Sequence, residues 1–364
     1  MKLNKLFEYK FLIKILALFC LQGCTQTDNL SQPKNIILMI GDGMGLSQIT
    51  AAIYSSQKTL SLEEIQHIGL IKTNSASSII TDSAAGATAF STGEKTYNGS
   101  INMNIDTLPL VPITVNLYNN QIKTGIVTSS SVTHATPACF YGNMKDRYDD
   151  YEELAKQFIS SNINVLIGGG EYYFNKRKDK TNLIDSLKNK NYLVIESIND
   201  NIDEDTEYLV NFCSPKHPKS KIDGRGDFLP IAAEKAINVL NTNNQNGFFL
   251  MIEGAQIDWG GHDNDSEYII SETIDFDNTL KKVLDFAKKD KETLVLVTAD
   301  HETGGYGIIG GDASKYKIDA DFLITEHTAT MVPIFAYGPG SAKYTGTFHN
   351  NKLYNKLLSS FNIE

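Results

Sequence analysis

Three short stretches of the chain place an imidazole beside a carboxylate. Asp258 and His262 lie four apart in Asp258-Trp259-Gly260-Gly261-His262, a spacing that sets both on one face if the segment is helical. Asp300-His301 is a second pair, and His327 follows in Glu326-His327-Thr328. With Asp42 these make three His and three Asp, the mixed donor set that two neighbouring zinc ions take while leaving positions open for substrate. One such pair alone reads as a structural hydrogen bond. The concentration is the signal, because the chain has only seven histidines. His67, His217 and His349 lack comparable neighbours and are read as surface or core residues. Asp42, Thr136 and Glu253 offer oxygen alone, which suits a magnesium ion that keeps several waters. Arg147 carries the planar fork that grips phosphate oxygens, although by itself it reads as a surface partner of Asp146, Asp149 or Asp150.

A nucleophile is offered by Thr81-Asp82-Ser83-Ala84-Ala85-Gly86-Ala87-Thr88-Ala89-Phe90. The small residues after Ser83 suit a helix packed closely on a sheet. That puts a hydroxyl at a helix N-terminus, where free N–H groups and the dipole favour an anion. Such a hydroxyl can attack phosphorus and hold the phosphate. Taken alone, the stretch is a buried Ala/Gly-rich helix with a serine near its cap.

The elements that must position these residues show as apolar runs. Asn35–Ile40 precedes Gly41-Asp42-Gly43-Met44-Gly45 and a helix over Leu46–Tyr54. Gly125–Thr128, Val165–Ile167, Phe248–Ile252, Leu294–Thr298 and Pro333–Tyr337 are further runs of the kind buried on both faces of a parallel sheet. Helical periodicity lies between them over Tyr151–Ile159, Ala232–Leu240 and Ile269–Lys288. Strands alternating with helices predict an α/β protein, a three-layer α/β/α fold with a mainly parallel central sheet. Asp42, Glu253, Asp300 and His301 fall just past strand ends, the edge of an open α/β sheet where ligands bind. The polar stretch 172–227 is expected to be a surface insert, with a glycine turn at Arg225-Gly226-Asp227.

A net charge of −10 disfavours nucleic acid as a partner. Lys2, Lys5, Lys10 and Lys14 flank or interrupt the apolar run Phe11–Leu21, which is short for a membrane span and reads as an export signal over 1–24. It ends in Leu21-Gln22-Gly23-Cys24, similar to a bacterial lipoprotein cleavage site with Cys24 acylated; cleavage without lipidation is the alternative, since Gln22 is not small. A tether over 25–34 and one domain over 35–364 follow. Cys139 and Cys213 then remain, and their spacing requires no disulfide.

Six motifs in order resemble the alkaline phosphatase family: Gly41–Gly45; Thr81–Ala89; His134-Ala135-Thr136-Pro137-Ala138 with Arg147; Glu253–Asp258 with His262; Thr298–Glu302; and Glu326-His327-Thr328 before Tyr337-Gly338-Pro339. The resemblance implies an alkaline phosphatase-like fold and hydrolysis of phosphate monoesters, with broad specificity, through a phosphoserine at Ser83. It implies that Asp258, His262 and His327 bind a first Zn²⁺, that Asp42, Asp300 and His301 bind a second, and that Asp42, Thr136 and Glu253 hold Mg²⁺. Arg147 is implied to clamp phosphate, and His134 and Trp259 to tune the magnesium shell and phosphate release. The Trp259 position is similar to that of compact bacterial members from cold or marine habitats. The N-terminal signal implies an exported bacterial protein, periplasmic or attached to the outer membrane, and the resemblance implies a homodimer. The short stretch between Gly304 and Glu326 suggests an open pocket. A phosphodiesterase is the competing enzyme, and a lipid-anchored phosphate-binding protein without turnover is the competing non-enzyme. A sulfatase is disfavoured, because Ser83-Ala84-Ala85-Gly86 lacks the Pro and Arg that follow a sulfatase nucleophile.

Overall fold

The apolar runs become the middle of a ten-stranded sheet in this computed structural model, which describes residues 32–363. The export signal, Cys24 and most of the tether lie outside the described residues. In chain order the strands are β1 (Asn35–Gly41), β2 (His67–Lys72), β3 (Lys123–Ser131), β4 (Val165–Gly169), β5 (Leu193–Ile195), β6 (Leu209–Phe212), β7 (Phe248–Gly254), β8 (Thr293–Thr298), β9 (Glu302–Thr303), β10 (Gly307–Asp312), β11 (Lys317–Asp321), β12 (His327–Thr328), β13 (Val332–Tyr337) and β14 (Gly346–His349). The order across the large sheet is β14-β2-β13-β8-β1-β7-β3-β4-β6-β5. Within this sheet β13 alone runs against its neighbours β2 and β8.

All residues of β1, β7 and β8 are buried. Successive strand side chains point to opposite faces, so both faces of this centre are covered. One group of helices, Leu46–Ser55, Phe228–Asn241 and Ser266–Asp290, packs together against the sheet; another joins Ser83–Thr92 to Ala135–Ala138 and Lys352–Ser360. The long helix Ser266–Asp290 has clear end signals. Asp265 Oδ1 accepts from the N–H groups of Glu267 and Tyr268 at 2.9 and 3.0 Å, and Lys288 and Lys289 sit in the last turn, where cations suit the dipole.

Two features differ from the sequence expectation. The stretch 172–227 carries β5 and β6, which extend the sheet beyond β4. Their runs of three and four residues are too short to stand out from polar surroundings. The segment after Gly304 forms the antiparallel hairpin β10–β11. Cys139 is buried, Cys213 is exposed, and both are free thiols. Among the described residues no helix is long and apolar enough to cross a membrane.

The sheet centre rests on complete apolar burial. Phe249 on β7 is fully buried and stacks on Phe140 with ring centroids 6.0 Å apart. Phe249→Ala is expected to cost about 3–5 kcal/mol of folding free energy by urea denaturation. A loss below about 1 kcal/mol would mean that the helix layer over β7 collapses into the gap.

Candidate active site

Parallel pairing brings the carboxyl ends of three adjacent strands together. β1 pairs Ile40 with Glu253 on β7 and with Thr298 on β8, so Asp42, Glu253 and Asp300 emerge side by side. Gly43 lets the chain turn sharply here. Its φ is +72°, and a Cβ would lie 2.7 Å from the Asp258 Cα. Glycine is thus needed both for conformation and for the close approach of two acidic segments.

A first cluster joins Asp258, His262 and His327, whose donor atoms lie within 4.8 Å of one another. The helix Gln256–His262 supplies the first two at the spacing read from sequence, with His262 Nε2 3.3 Å from Asp258 Oδ2. The two-stranded pairing of β12 with β9 brings His327, whose Nε2 lies 3.4 Å from Asp258 Oδ1. Both imidazoles have their outer nitrogen engaged. His262 Nδ1–H donates to the Thr325 carbonyl at 2.6 Å, and His327 Nδ1–H donates to the Thr81 carbonyl at 2.9 Å. With those Nδ1–H groups engaged, the two Nε2 atoms face each other across 3.2 Å and both point at Asp258, an arrangement that a metal cation, or without one a proton shared with Asp258, must relieve.

A second cluster centres on His301. Its Nε2 is 3.3 Å from Asp42 Oδ1, 3.4 Å from Asp300 Oδ2 and 3.3 Å from Ser83 Oγ. Thr303 Oγ1 donates to Asp258 Oδ1 at 2.5 Å, so it accepts from His301 Nδ1–H at 3.2 Å. That again turns an Nε2 lone pair inward. Thr303 went unnoticed in sequence because a lone threonine after a histidine carries no signal.

A third cluster holds Asp42, Glu253 and His134. Glu253 Oε2 accepts from Thr128 Oγ1 and from Ser130 Oγ at 3.2 Å, while Oε1 is free for another partner. Thr128 and Ser130 were not anticipated, since hydroxyl residues at a strand end carry no signal of what they will face. Thr136 Oγ1 is buried nearby in the short helix Ala135–Ala138.

Ser83 opens the helix Ser83–Thr92, as expected, and Asp82 caps it by accepting from the Ala85 N–H at 3.0 Å. Arg147 is buried and pairs with Asp82 Oδ2 at 3.4 Å, not with its acidic sequence neighbours. Its Nη2 donates to His134 Nε2 at 3.0 Å, and its Nε has no partner among the described residues. Ser83, Arg147, His134, Asp258, Trp259, His262 and His327 line one cavity of about 490 Å³. His217, read as an ordinary surface or core residue, stands against this site, with its ring 5.0 Å from Trp259 and 5.5 Å from His134. Sequence offered no cue, since the loop that carries it is polar and irregular. His67 instead meets Ser341 away from the site.

The electrostatics explain what these clusters want. Burial, then the neighbouring Asp300, Asp258 and Glu253 carboxylates, hold Asp42 well above the usual carboxylate range. Burial pushes Glu253 up to about 7 and Asp300 up to about 6, and a facing carboxylate adds to each. Burial also opposes ionisation of Asp258, but hydrogen bonds from His262 and His327 outweigh it and hold that carboxyl well below its usual range. His262 rises to about 9 through its bond to Asp258. Burial, and then the neighbouring His327, hold His301 neutral, well below its ordinary value. Both oxygens of Asp42, Asp300 Oδ2, Glu253 Oε1 and Thr136 Oγ1 are buried without hydrogen-bond partners among the described residues. Buried like charges with orphaned oxygens are stable only when cations neutralise them. The donors therefore fit bound metal ions: nitrogen and carboxylate at the first two clusters, mostly oxygen at the third.

This has a consequence for stability against pH. Unfolded carboxyls titrate near about 4, so between about pH 4 and 7 the metal-free folded chain keeps protons on Asp300 and Glu253 that the unfolded chain has released. The contribution of these two carboxyls to its stability falls as pH rises through that window. His262 acts in the same sense: its contribution is full below the unfolded value near about 6.5 and is lost as pH rises towards about 9. Bound cations replace those protons. The Tm gap between protein loaded with zinc and magnesium and demetallated protein is expected to widen from about pH 5 to about pH 8 by calorimetry. A gap constant over that range would remove Glu253 and Asp300 from the donor set.

The alkaline phosphatase family profile matches residues 33–321. Alkaline phosphatase 3 of Bacillus subtilis is 41% identical over 298 residues, 77% of this chain, and that stretch spans 63% of the relative's own length. Alkaline phosphatase 4 of the same organism is 31% identical over 89% of this chain and 88% of the relative. The solved alkaline phosphatase of the Antarctic bacterium TAB5 superimposes with a TM-score of 0.87 at 40% identity, covering 92% of this chain and all of the other. A variant of that Antarctic protein has Mg bound in its M3 site. The chain belongs to the alkaline phosphatase family, whose members are phosphate-monoester hydrolases.

Proposed function

We propose that this chain hydrolyses phosphate monoesters through a covalent phosphoserine at Ser83, with two Zn²⁺ and one Mg²⁺ as cofactors. The carrying observation is the position of Ser83 Oγ. It lies at the first residue of a buried helix and 3.3 Å from His301 Nε2, in the same cavity as Arg147 and the His262–His327 pair. Asp258, His262 and His327 would hold one zinc, Asp42, Asp300 and His301 the other, and Asp42, Thr136 and Glu253 the magnesium, with His134 beside that shell. The magnesium assignment also draws on the metal in the Antarctic variant. When bound, these ions lower the pKa of hydroxyl or water and neutralise charge on the attacking and leaving oxygens.

The chain's own groups do the rest. Arg147, buried and held by Asp82 and His134, lines the cavity and offers the free N–H groups of its fork to phosphate oxygens. It fixes phosphorus for in-line attack, and fixed geometry removes much of the entropic barrier. Ser83 Oγ forms the new P–O bond as the ester oxygen leaves and takes up a proton as the alcohol. The free N–H groups at the start of Ser83–Thr92 face the resulting phosphoserine. Water then attacks phosphorus from the side the alcohol vacated, Ser83 Oγ leaves and regains a proton, and inorganic phosphate is released. Broad tolerance for the alcohol, export with a lipid anchor at Cys24, and a homodimeric state complete this reading on sequence grounds.

Ser83→Ala is expected to abolish trapping of labelled phosphate on the protein, to cut kcat at least ~10³-fold and to leave metal content unchanged. Undiminished label would refute Ser83 as nucleophile. Arg147→Ala is expected to raise KM for p-nitrophenyl phosphate and Ki for inorganic phosphate by roughly 10- to 100-fold, the scale of one or two charge-assisted hydrogen bonds. An unchanged phosphate Ki would exclude Arg147 as the clamp.

A further inference from the structure

The loop that follows β6 was expected to be surface elaboration, yet it is tied into the molecule at both ends of its turn. Gln256 Nε2 donates to the carbonyls of Ser129 and Pro218 at 2.9 and 3.1 Å, which joins the loop to the end of β3. Lys221 N–H donates to Glu272 Oε1 at 2.7 Å. The Arg225 guanidinium bonds Glu272 at 3.0 and 2.5 Å and Asp275 at 2.8 Å, with all three side chains buried. Fully buried, multiply bonded charges of this kind resist displacement, because moving one partner strands the other. The loop is thus fastened to the long helix Ser266–Asp290.

That fastening holds His217 against His134 and Trp259, two residues of the catalytic cavity's wall. Its Nδ1 accepts from the Ser131 N–H at 3.1 Å, which locks the turn leading to His134. Its ring stands edge-on to Trp259 at 5.0 Å and 88°, and edge-on to His134 at 5.5 Å and 87°. His134 and Trp259 are themselves edge-on at 6.0 Å and 83°. Three rings in mutual edge contact form a small rigid unit. One of them, His134, accepts from Arg147 Nη2 at 3.0 Å.

We propose that His217 is a positioning residue for the phosphatase reaction: by bracing His134 and Trp259 it holds Arg147 in the orientation that receives phosphate. This rests on the function proposed above. The mechanical line runs from the buried Arg225–Glu272–Asp275 cluster, through the loop, to the ring triad and the guanidinium. Among the described residues His217 makes no hydrogen bond or ring contact to Ser83 or to the metal donors of the first two clusters, so its effect falls on phosphate affinity more than on bond chemistry.

The test uses the full chain loaded with zinc and magnesium. Trp259 is the only tryptophan, so its fluorescence reports this contact directly. His217→Ala is expected to raise Ki for inorganic phosphate and KM for p-nitrophenyl phosphate by roughly 3- to 10-fold, with kcat within about twofold, the scale of one lost hydrogen bond and ring contact. Trp259 emission is expected to shift to the red. His217→Phe, which keeps a ring edge, is expected to restore the emission, and His217→Asn, which keeps an acceptor for Ser131, to restore part of the phosphate affinity. Wild-type Ki, KM and emission in His217→Ala would overturn the proposal. So would loss of Tm and kcat with Ki and KM unchanged, the signature of a residue that only supports the fold. A wild-type protein without phosphatase activity would instead refute the function reading, and calorimetric titration with inorganic phosphate would still measure what His217 contributes to affinity.

Discussion

Asp42, Glu253, Asp258 and Asp300 are buried within one small volume, and their mutual repulsion is the constraint to which the surrounding structure answers. Desolvating one carboxylate is costly, and desolvating several together is tolerable only with compensating positive charge. The fold creates the problem through sheet register, since β1, β7 and β8 end level with one another. It also prepares the remedy. Three imidazoles are turned with their Nε2 atoms inward by Thr325, Thr81 and Thr303, and Arg147 lines the same cavity. A site of this kind is strained when empty of cations and relaxed when filled, so metal affinity and folding are one quantity here.

The outer contacts matter as much as the donors. Glu302 lies next to His301 and accepts from Gln48 Nε2 at 2.9 Å, from the Tyr306 N–H at 3.0 Å and from Thr328 Oγ1. Gln48 Nε2 also donates to the Thr303 carbonyl at 2.8 Å. One side chain on the first helix thereby secures the segment that carries Asp300, His301 and Thr303, and through the β9–β12 pairing it also steadies His327. The donor atoms keep their places because several elements over-determine each of them, which is the condition for preorganised catalysis.

Arg147 illustrates how far sequence neighbours can mislead. Asp146, Asp149 and Asp150 surround it in the chain, yet Asp146 accepts from the Tyr148 N–H and Asp150 caps the helix Tyr151–Phe158. Those carboxylates satisfy backbone donors, which leaves the guanidinium to reach back to Asp82 beside the nucleophile. The position of His217 has the same origin. Nothing in Pro215–Ser220 marks a functional segment, and only the docking of that loop against β3 and the long helix brings the imidazole to Trp259.

What the sequence determined by itself was local. The apolar runs marked β1, β3, β4, β7, β8 and β13, the i,i+4 spacing set Asp258 and His262 on one helical turn, and Ser83 with the small residues after it announced a helix start. These are relations within one turn or one strand, and periodicity encodes them directly. Tertiary structure decided which strand ends lie level, that β13 runs antiparallel, that β5 and β6 join the sheet, and that Thr128, Ser130, Thr303 and His217 surround the donors. Register between strands separated by a hundred residues or more is fixed by whole-sheet packing, since a shift of one residue would turn every buried side chain to the wrong face. No local pattern carries that information, and the convergence of the site is its direct result.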